Sequence, residues 1–125
     1  MILIIGGRYQ GKRDYAMTHY AVTGDDVFTC DEAHLVELDH RVIEHIECYA
    51  LGCVKRGESP SEFWLAHLAE LEDKILIADD ISCGVVPMSA TLRAWREASG
   101  RANAMLAARS ERVIRVFCGL GQVIK

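Results

Sequence analysis

The sequence predicts an α/β fold in which helices flank a parallel sheet, and two observations lead to this prediction. Short apolar runs rich in β-branched residues recur at positions 2–5, 27–30, 74–78 and 113–118. Continuous runs of this kind are typical of strands that are covered on both faces. Segments with helical spacing or helix-start signals separate them, and such alternation predicts parallel strands joined by right-handed crossovers.

The N-terminal half contains two of the predicted strands and two predicted helices. The strand at residues 2–5 ends at a pair of glycines, and a helix is predicted for residues 12–20. A turn of glycine and aspartates precedes the second strand, at residues 27–30. From residue 33 to residue 51, helical spacing of apolar residues predicts one long helix, with Leu35, Leu38, Val42, Ile43, Ile46, Tyr49 and Ala50 on its apolar positions.

The C-terminal half begins with a loop predicted for residues 52–59. Ser59, Pro60 and Glu62 then form a helix start, with an N-cap serine, a proline at the first position and a glutamate that can close a capping box. That helix is predicted to end near residue 72. A third strand at 74–78, a helix at 90–109 and a fourth strand at 113–118 follow, before a glycine-containing bend leads into a short tail that could itself be a strand.

Length and composition limit the possible functions. The chain of 125 residues predicts one domain, residues 1–125. Its net charge of −4 argues against a sequence-independent nucleic-acid binder, which needs a dominant basic surface. No apolar run reaches the roughly 18 to 20 residues that span a bilayer, and no signal peptide is apparent. The five cysteines form no C-x-x-C pair, so we expect a cytoplasmic protein with reduced thiols.

The octet GGRYQGKR between the first strand and the first helix matches the phosphate-loop pattern G-x-x-x-x-G-K-[ST], except at its last position. Glycines let backbone N–H groups converge on phosphate oxygens, the helix N-terminus adds positive potential, and a lysine reaches the β- and γ-phosphates. The pattern therefore predicts a fold like that of the phosphate-loop nucleoside-triphosphate hydrolases. The predicted nucleotide-binding residues are Gly6, Gly7, Arg8, Tyr9, Gln10, Gly11, Lys12 and Arg13. The alternative is a glycine turn with an unrelated lysine.

Arg13 stands where the pattern has a serine or threonine that donates an oxygen to Mg²⁺. A guanidinium has five donors and no acceptor, so it cannot bind the metal. We expect Arg13 either to repel Mg²⁺ or to bind phosphate directly. Since Mg²⁺ neutralises charge that develops during phosphoryl transfer, Arg13 is compatible with nucleotide binding and weakens the case for catalysis.

Carboxylates follow two of the predicted strands, at Asp31 and Glu32 and at Asp79 and Asp80. In open α/β sheets, ligands bind at the carboxyl ends of the strands, and an acidic residue there can hold Mg²⁺ directly or through water. The same residues could instead cap the helices that follow. The residues alone leave both interpretations open.

Several motifs resemble the bifunctional adenosylcobinamide kinase/adenosylcobinamide-phosphate guanylyltransferase family of cobalamin biosynthesis. They are Gly84-Val85-Val86-Pro87, the stretch from Arg96 to Asn103, Gly119-Leu120-Gly121 with the closing Ile124-Lys125, and the opening MILIIGG with its later GK. Ser82 stands where the family usually has a glycine, and Glu97 stands for its aspartate. The resemblance covers the opening and closing parts of the chain.

The resemblance implies a nucleotide-binding protein that uses GTP or ATP to phosphorylate a cobinamide-type hydroxyl. Lys12 and Asp31 would be its catalytic residues, and Asp31, placed on an acidic residue of the family, would also be its metal ligand. The family then guanylylates its product through a histidine nucleophile. We favour an alignment in which that histidine segment is deleted, so guanylyl transfer is not expected. A rival alignment places residues 41–45, which include His45, on the nucleophile region.

Two further interpretations stay open beside the kinase. The first is a non-catalytic relative that senses nucleotides or serves as a scaffold and has lost Mg²⁺-dependent chemistry. The second is a structural protein that forms oligomers and whose loop binds nothing. The resemblance is compatible with a homo-oligomer. The histidines are expected to be mostly structural or at the surface. Because His40 and His45 would lie about 140° apart on the predicted helix, no specific metal site is expected there.

Overall fold

A computed structural model describes residues 1–33, 35–82 and 88–125. In these residues the chain forms a six-stranded sheet with the strand order β2-β3-β4-β1-β5-β6. Neighbouring strands from β2 to β5 are parallel, whereas β6 pairs antiparallel with β5. The strands are β1 (Ile2–Gly6), β2 (Val27–Thr29), β3 (Val42–Glu44), β4 (Ile75–Asp79), β5 (Arg112–Phe117) and β6 (Leu120–Val123).

The helices cover both faces of this sheet. They are α1 (Lys12–Tyr20), α2 (Ile46–Arg56), α3 (Pro60–Ala66), α4 (Leu68–Leu71) and α5 (Ala90–Arg109). Successive residues of β1 point to opposite faces: Leu3 packs in the core that contains Tyr49 of α2 and Leu106 of α5, and Ile4 packs in the core that contains Ala16 of α1. This two-sided burial explains the continuous apolar runs of the central strands.

The predicted α/β class, with helices flanking a parallel sheet, is confirmed for β1 to β5, whereas β6 is antiparallel and makes the sheet only mostly parallel. The likeness to the phosphate-loop hydrolases stays a prediction. The structure also has helices at the predicted positions 12–20 and 90–109 and a strand in the predicted tail. The predicted motif at residues 84–87 and His34 lie outside the described residues. No helix in the described part of the chain has the length and apolar character that a membrane crossing requires.

The long helix predicted for residues 33–51 is wrong. The short strand β3 occupies part of this segment, and α2 begins only at Ile46 and continues to Arg56, through much of the predicted loop. Val42 and Ile43 are fully buried because β3 pairs with β2 on one side and β4 on the other. Tertiary pairing therefore overrides an apolar spacing that also fits a helix. The helix predicted for residues 60–72 is divided at His67 into α3 and α4.

Candidate functional site

Two glycines shape the loop that joins β1 to α1. A side chain at Gly6 would place its Cβ 2.3 Å from the carbonyl oxygen of Val116 in β5, which no other residue could accommodate without moving the strand. Gly11 has a φ of +90°, a conformation that favours glycine. Gly6 is therefore required by close packing, and Gly11 is favoured by its backbone conformation.

The outer part of the loop is bound to the turn between β5 and β6. The Gln10 side-chain oxygen accepts a hydrogen bond from the Cys118 N–H at 2.7 Å, and the Gln10 carbonyl accepts one from the Gly119 N–H at 2.8 Å. At the loop's start, the Asp80 N–H donates to the Gly6 carbonyl at 2.8 Å. The loop is thus held by β5, by the turn after it and by the end of β4.

Lys12, the first residue of α1, points back into the loop. Its side chain is 6% exposed, and its Nζ donates to the Gly7 carbonyl at 2.7 Å. The same Nζ lies 2.6 Å from Oδ1 of Asp79, at the end of β4. A buried ammonium is therefore neutralised by a carboxylate at the carboxyl edge of the sheet.

Arg13 also faces a carboxylate from a strand end. Its Nη1 lies 3.6 Å from Oε1 of Glu44, the last residue of β3. Glu44 is 5% exposed, and its Oε1 also accepts a hydrogen bond from the Thr29 hydroxyl at 2.8 Å. Arg13 is about half exposed and lines the cavity, so its guanidinium faces both the buried Glu44 carboxylate and the cavity.

His45 follows Glu44 and has a φ of 57°, which is uncommon for a residue other than glycine. Its Nδ1–H donates to Oε1 of Glu47 at 2.9 Å, and Nδ1 lies 4.0 Å from Oδ2 of Asp79. Glu47 is 4% exposed, and its Oε2 accepts a hydrogen bond from the Asp79 N–H at 3.0 Å. His45 and Asp79 are therefore held on one wall of the site by a buried carboxylate.

These residues surround a cavity of about 530 Å³, which is lined by residues 8–14 together with Glu44, His45, Ile77 and Asp79. A pocket of this size is typical for a small ligand. It lies at the carboxyl ends of β3 and β4, where open α/β sheets bind ligands. Its lining brings together three cationic side chains, Arg8, Lys12 and Arg13, beside the N-terminus of α1, an arrangement that can bind an anion.

The predicted site residues fall into two groups. Residues 8–13 line the cavity, whereas Gly6 and Gly7 support the loop behind it. Asp31 is exposed and does not line the cavity, and its Oδ1 accepts a hydrogen bond from the Ala33 N–H at 2.7 Å. The structure thus brings the octet together with Asp79 and leaves Asp31 in a local turn.

Glu44 and His45 were not among the predicted site residues, because the favoured alignment deletes the histidine segment and only the rival alignment places residues 41–45 on the nucleophile region. The segment was also expected to be helical. His45, one of the histidines expected to be mostly structural or at the surface, is about one-third exposed and lines the cavity. A signal was present in the sequence: the buried run Val42-Ile43 ends in Glu-His, as a short strand with a functional end would.

The fold and the cavity define an α/β protein with a glycine-rich site at the carboxyl edge of a mostly parallel sheet, lined by three cationic and three acidic side chains. The family model of cobinamide kinase / cobinamide phosphate guanyltransferase matches residues 55–124, more than half of the chain. The chain therefore belongs to this family, whose description names nucleotide-dependent chemistry on cobinamide. Among the curated proteins, no sequence matches this chain.

The matched segment runs from the end of α2 to the end of the sheet and includes the predicted family motifs at residues 84–87, 96–103 and 119–121. The resemblance seen in the sequence is thus confirmed. The match does not include the loop at residues 6–13 or the segment around His45. It therefore bears on neither of the two alignments considered for that histidine.

Proposed function

We propose that this protein binds the phosphates of a purine nucleoside triphosphate, GTP or ATP, in the cavity beside the β1–α1 loop. The observation that carries the proposal is the buried Lys12 ammonium at the start of α1, which faces the cavity. An ammonium held at a helix N-terminus favours an anion there. Family membership supports a nucleotide as that anion.

Lys12 would have to exchange partners when a nucleotide binds. Its ammonium is now shared by the Gly7 carbonyl and Asp79, and a phosphate would compete with both. Arg8 and Arg13 line the same cavity and can donate further hydrogen bonds to phosphate oxygens. The loop would supply backbone N–H groups, which is the ordinary role of such a glycine-rich turn.

The residues present do not fit Mg²⁺ in the way that the motif usually holds it. Arg13 offers no oxygen, and the two carboxylates that line the cavity at strand ends, Glu44 and Asp79, already face Arg13 and Lys12. We therefore propose that Arg13 supplies the positive charge near the phosphates.

For a protein that retains kinase activity, phosphoryl transfer to a cobinamide-type hydroxyl is the reaction that follows from the family. Asp31 was predicted to activate the acceptor or to bind metal, and that role remains a prediction. Glu44 and Asp79 are the better candidates, because both line the cavity and Asp31 does not. The homo-oligomer also remains a prediction.

Calorimetric titration of GTP and ATP, each with and without Mg²⁺, tests the binding proposal. A charge-assisted hydrogen bond contributes about 1.5–3 kcal/mol, so Lys12→Met is expected to weaken binding by about 10- to 100-fold. Lys55→Met is the matched control, since Lys55 pairs with Glu32 at the surface. No binding of either nucleotide at millimolar concentration, or equal losses in the two variants, would refute the proposal.

The second candidate function is nucleotide sensing or scaffolding without catalysis. The Arg13–Glu44 pair favours this function, because it leaves neither residue available to hold Mg²⁺ in the usual way. Incubation of the protein with GTP or ATP, a cobinamide acceptor and Mg²⁺ separates the two functions. Formation of nucleoside diphosphate that depends on the acceptor and is lost in Lys12→Met supports the kinase. Nucleotide binding without turnover supports the non-catalytic sensing or scaffolding function.

A further inference from the structure

We propose that His45, Glu47 and Cys48 form a binding site for a borderline transition-metal dication such as Zn²⁺. They offer an imidazole nitrogen, a carboxylate oxygen and a thiol sulfur, and these atoms all lie within 4.8 Å of one another. Nitrogen, oxygen and sulfur ligands together favour Zn²⁺ or Co²⁺ over the hard cation Mg²⁺. The proposal does not depend on nucleotide binding.

The spacing of the three atoms is close to that of a tetrahedral centre. With metal–nitrogen and metal–oxygen bonds of about 2.0 Å and a metal–sulfur bond of about 2.3 Å, tetrahedral ligand atoms lie about 3.3–3.5 Å apart. Here Glu47 Oε1 lies 2.9 Å from His45 Nδ1 and 3.9 Å from Cys48 Sγ. The two distances bracket that range, so side-chain shifts of about half an ångström would complete the geometry.

The backbone explains why residues so close in sequence converge. His45 lies in the left-handed region at the junction of β3 and α2, which directs its ring toward the first turn of the helix. Because this segment was predicted to be part of one long helix, the convergence of the three side chains was not expected from the sequence. Uncommon backbone conformations at non-glycine residues concentrate at functional sites, and here the conformation produces the His–Glu hydrogen bond.

The central ligand, Glu47, is held from two sides. Its Oε2 accepts a hydrogen bond from the Asp79 N–H at 3.0 Å, and its main-chain carbonyl accepts one from Trp95 Nε1 in α5 at 2.6 Å. Such supporting hydrogen bonds orient the ligands of metal sites in proteins. Glu47 Oε1, the atom nearest to His45 and Cys48, would therefore keep its position when an ion binds.

An ion at this site would have an entry path from the cavity and a fourth position open to water. Oδ2 of Asp79 lies 4.0 Å from His45 Nδ1 but does not belong to the group of mutually close ligand atoms, and the other oxygen of that carboxylate binds Lys12. His45 is about one-third exposed and lines the cavity, so an ion can enter from there. On binding through Nδ1, the Cys48 thiol releases its proton to solvent. The imidazole loses its Nδ1 proton to solvent and takes one up on Nε2, so the ring stays neutral, one proton is released in all and no redox change occurs.

Titration with Co²⁺, followed by displacement with Zn²⁺, tests the site with the intact chain. A Co²⁺–thiolate bond gives a sulfur-to-metal charge-transfer band in the near ultraviolet. We expect this band in the wild type, its loss in Cys48→Ser, and at least a tenfold loss of Zn²⁺ affinity in both Cys48→Ser and His45→Gln. Cys118→Ser is the matched control, since Cys118 is an exposed free thiol.

A second control separates this site from another group of possible ligands in the described chain, Glu37, Asp39 and His40. His40→Gln should leave the Co²⁺ band and the Zn²⁺ affinity unchanged. Persistence of the band in Cys48→Ser, its loss in Cys118→Ser or His40→Gln, or Zn²⁺ binding no tighter than millimolar in the wild type would overturn the proposal. Circular dichroism establishes that each variant is folded before its result is interpreted.

Discussion

The Arg13 guanidinium lies 3.6 Å from the carboxylate of Glu44, which is buried at the end of β3. In the usual phosphate loop, the position of Arg13 is occupied by a serine or threonine whose hydroxyl binds the metal. Here the same position carries the positive charge of a side chain. Because Glu44 is paired with Arg13, its carboxylate is not an unpaired acid in the cavity. Nucleotide binding at this loop is accordingly expected to require little or no Mg²⁺.

Replacement of Arg13 should restore a dependence on the metal. In Arg13→Ser, a hydroxyl replaces the guanidinium and Glu44 loses its cationic neighbour, so Mg²⁺ gains two oxygen donors. We expect Mg²⁺ to strengthen GTP or ATP binding by at least tenfold in this variant and by less than threefold in the wild type, measured by calorimetry. Arg8→Ser, which removes a cation from the cavity without exposing Glu44, is the control. Equal Mg²⁺ effects in Arg13→Ser and the wild type would show that our account of Arg13 is wrong.

Asp79→Asn should release Lys12 while making the folded state less stable. Removal of one partner from a buried ion pair commonly costs about 3–5 kcal/mol, although Lys12 keeps its hydrogen bond to Gly7. We expect urea unfolding to show a loss near the lower end of that range. Because the freed ammonium favours anions, inorganic phosphate should stabilise the variant more than the wild type. Asp73→Asn, at an exposed residue, should show neither effect.

Gly100 offers a stabilising substitution away from the site. It lies inside α5, and a Cβ built on it meets no heavy atom of the described residues within 4 Å other than those of its chain neighbours and the nearby backbone of its own helix. Gly100→Ala should therefore raise the free energy of unfolding by about 0.5–1 kcal/mol, through the lower entropy of the unfolded chain. The reciprocal change at an exposed position of the same helix, Ala104→Gly, should lower it by a similar amount. Thermal unfolding of the two variants would reveal shifts of opposite sign; a destabilised Gly100→Ala would contradict the packing described.

Alkaline pH should destabilise the protein through its buried thiols. Burial, with a smaller contribution from Glu47, raises the pKa of Cys30 well above its usual value of 9.0. The unfolded chain therefore releases this proton near pH 9 while the folded chain retains it, so the free energy of unfolding falls as pH rises above about 9.

The contribution of Cys30 can be isolated by mutation. Cys30→Ala should reduce the slope of unfolding free energy against pH, between pH 9 and 10.5, by up to about 1.4 kcal/mol per pH unit. Cys118→Ala, at an exposed position, should leave the slope unchanged. Slopes that coincide for all three proteins would show that the Cys30 thiol titrates normally in the folded state.

The sequence predicted those helices whose first residues carry a recognisable cap, because a cap is formed by residues that are close together in the chain. Ser89 caps α5 by accepting a hydrogen bond from the Leu92 N–H, and Ser59 caps α3 through the Glu62 N–H. The three residues of β3 could not be found in this way, because the strand is defined by pairing with β2 and β4, which are distant in sequence.

The same difference applies to the site. Lys12 and the glycines were found because the motif that contains them is continuous in the chain. Glu44 and His45 reach the cavity only after the sheet has assembled, and Asp31 follows a strand without reaching the cavity at all. A carboxylate at the end of a strand is thus an ambiguous signal until the order of the strands is known.

The hydrogen bonds from Cys118 and Gly119 to Gln10 have a consequence for synthesis of the chain on the ribosome. Gln10 and Cys118 are separated by 108 positions in the sequence, and Gly6 rests against Val116. The loop is made more than 100 residues before its supports, and it acquires them only after residues 116–119 have left the exit tunnel. A nascent chain that ends before these residues would contain every residue of the motif and still lack the loop shape that we propose binds a nucleotide, so any ligand-binding ability should arise late and abruptly.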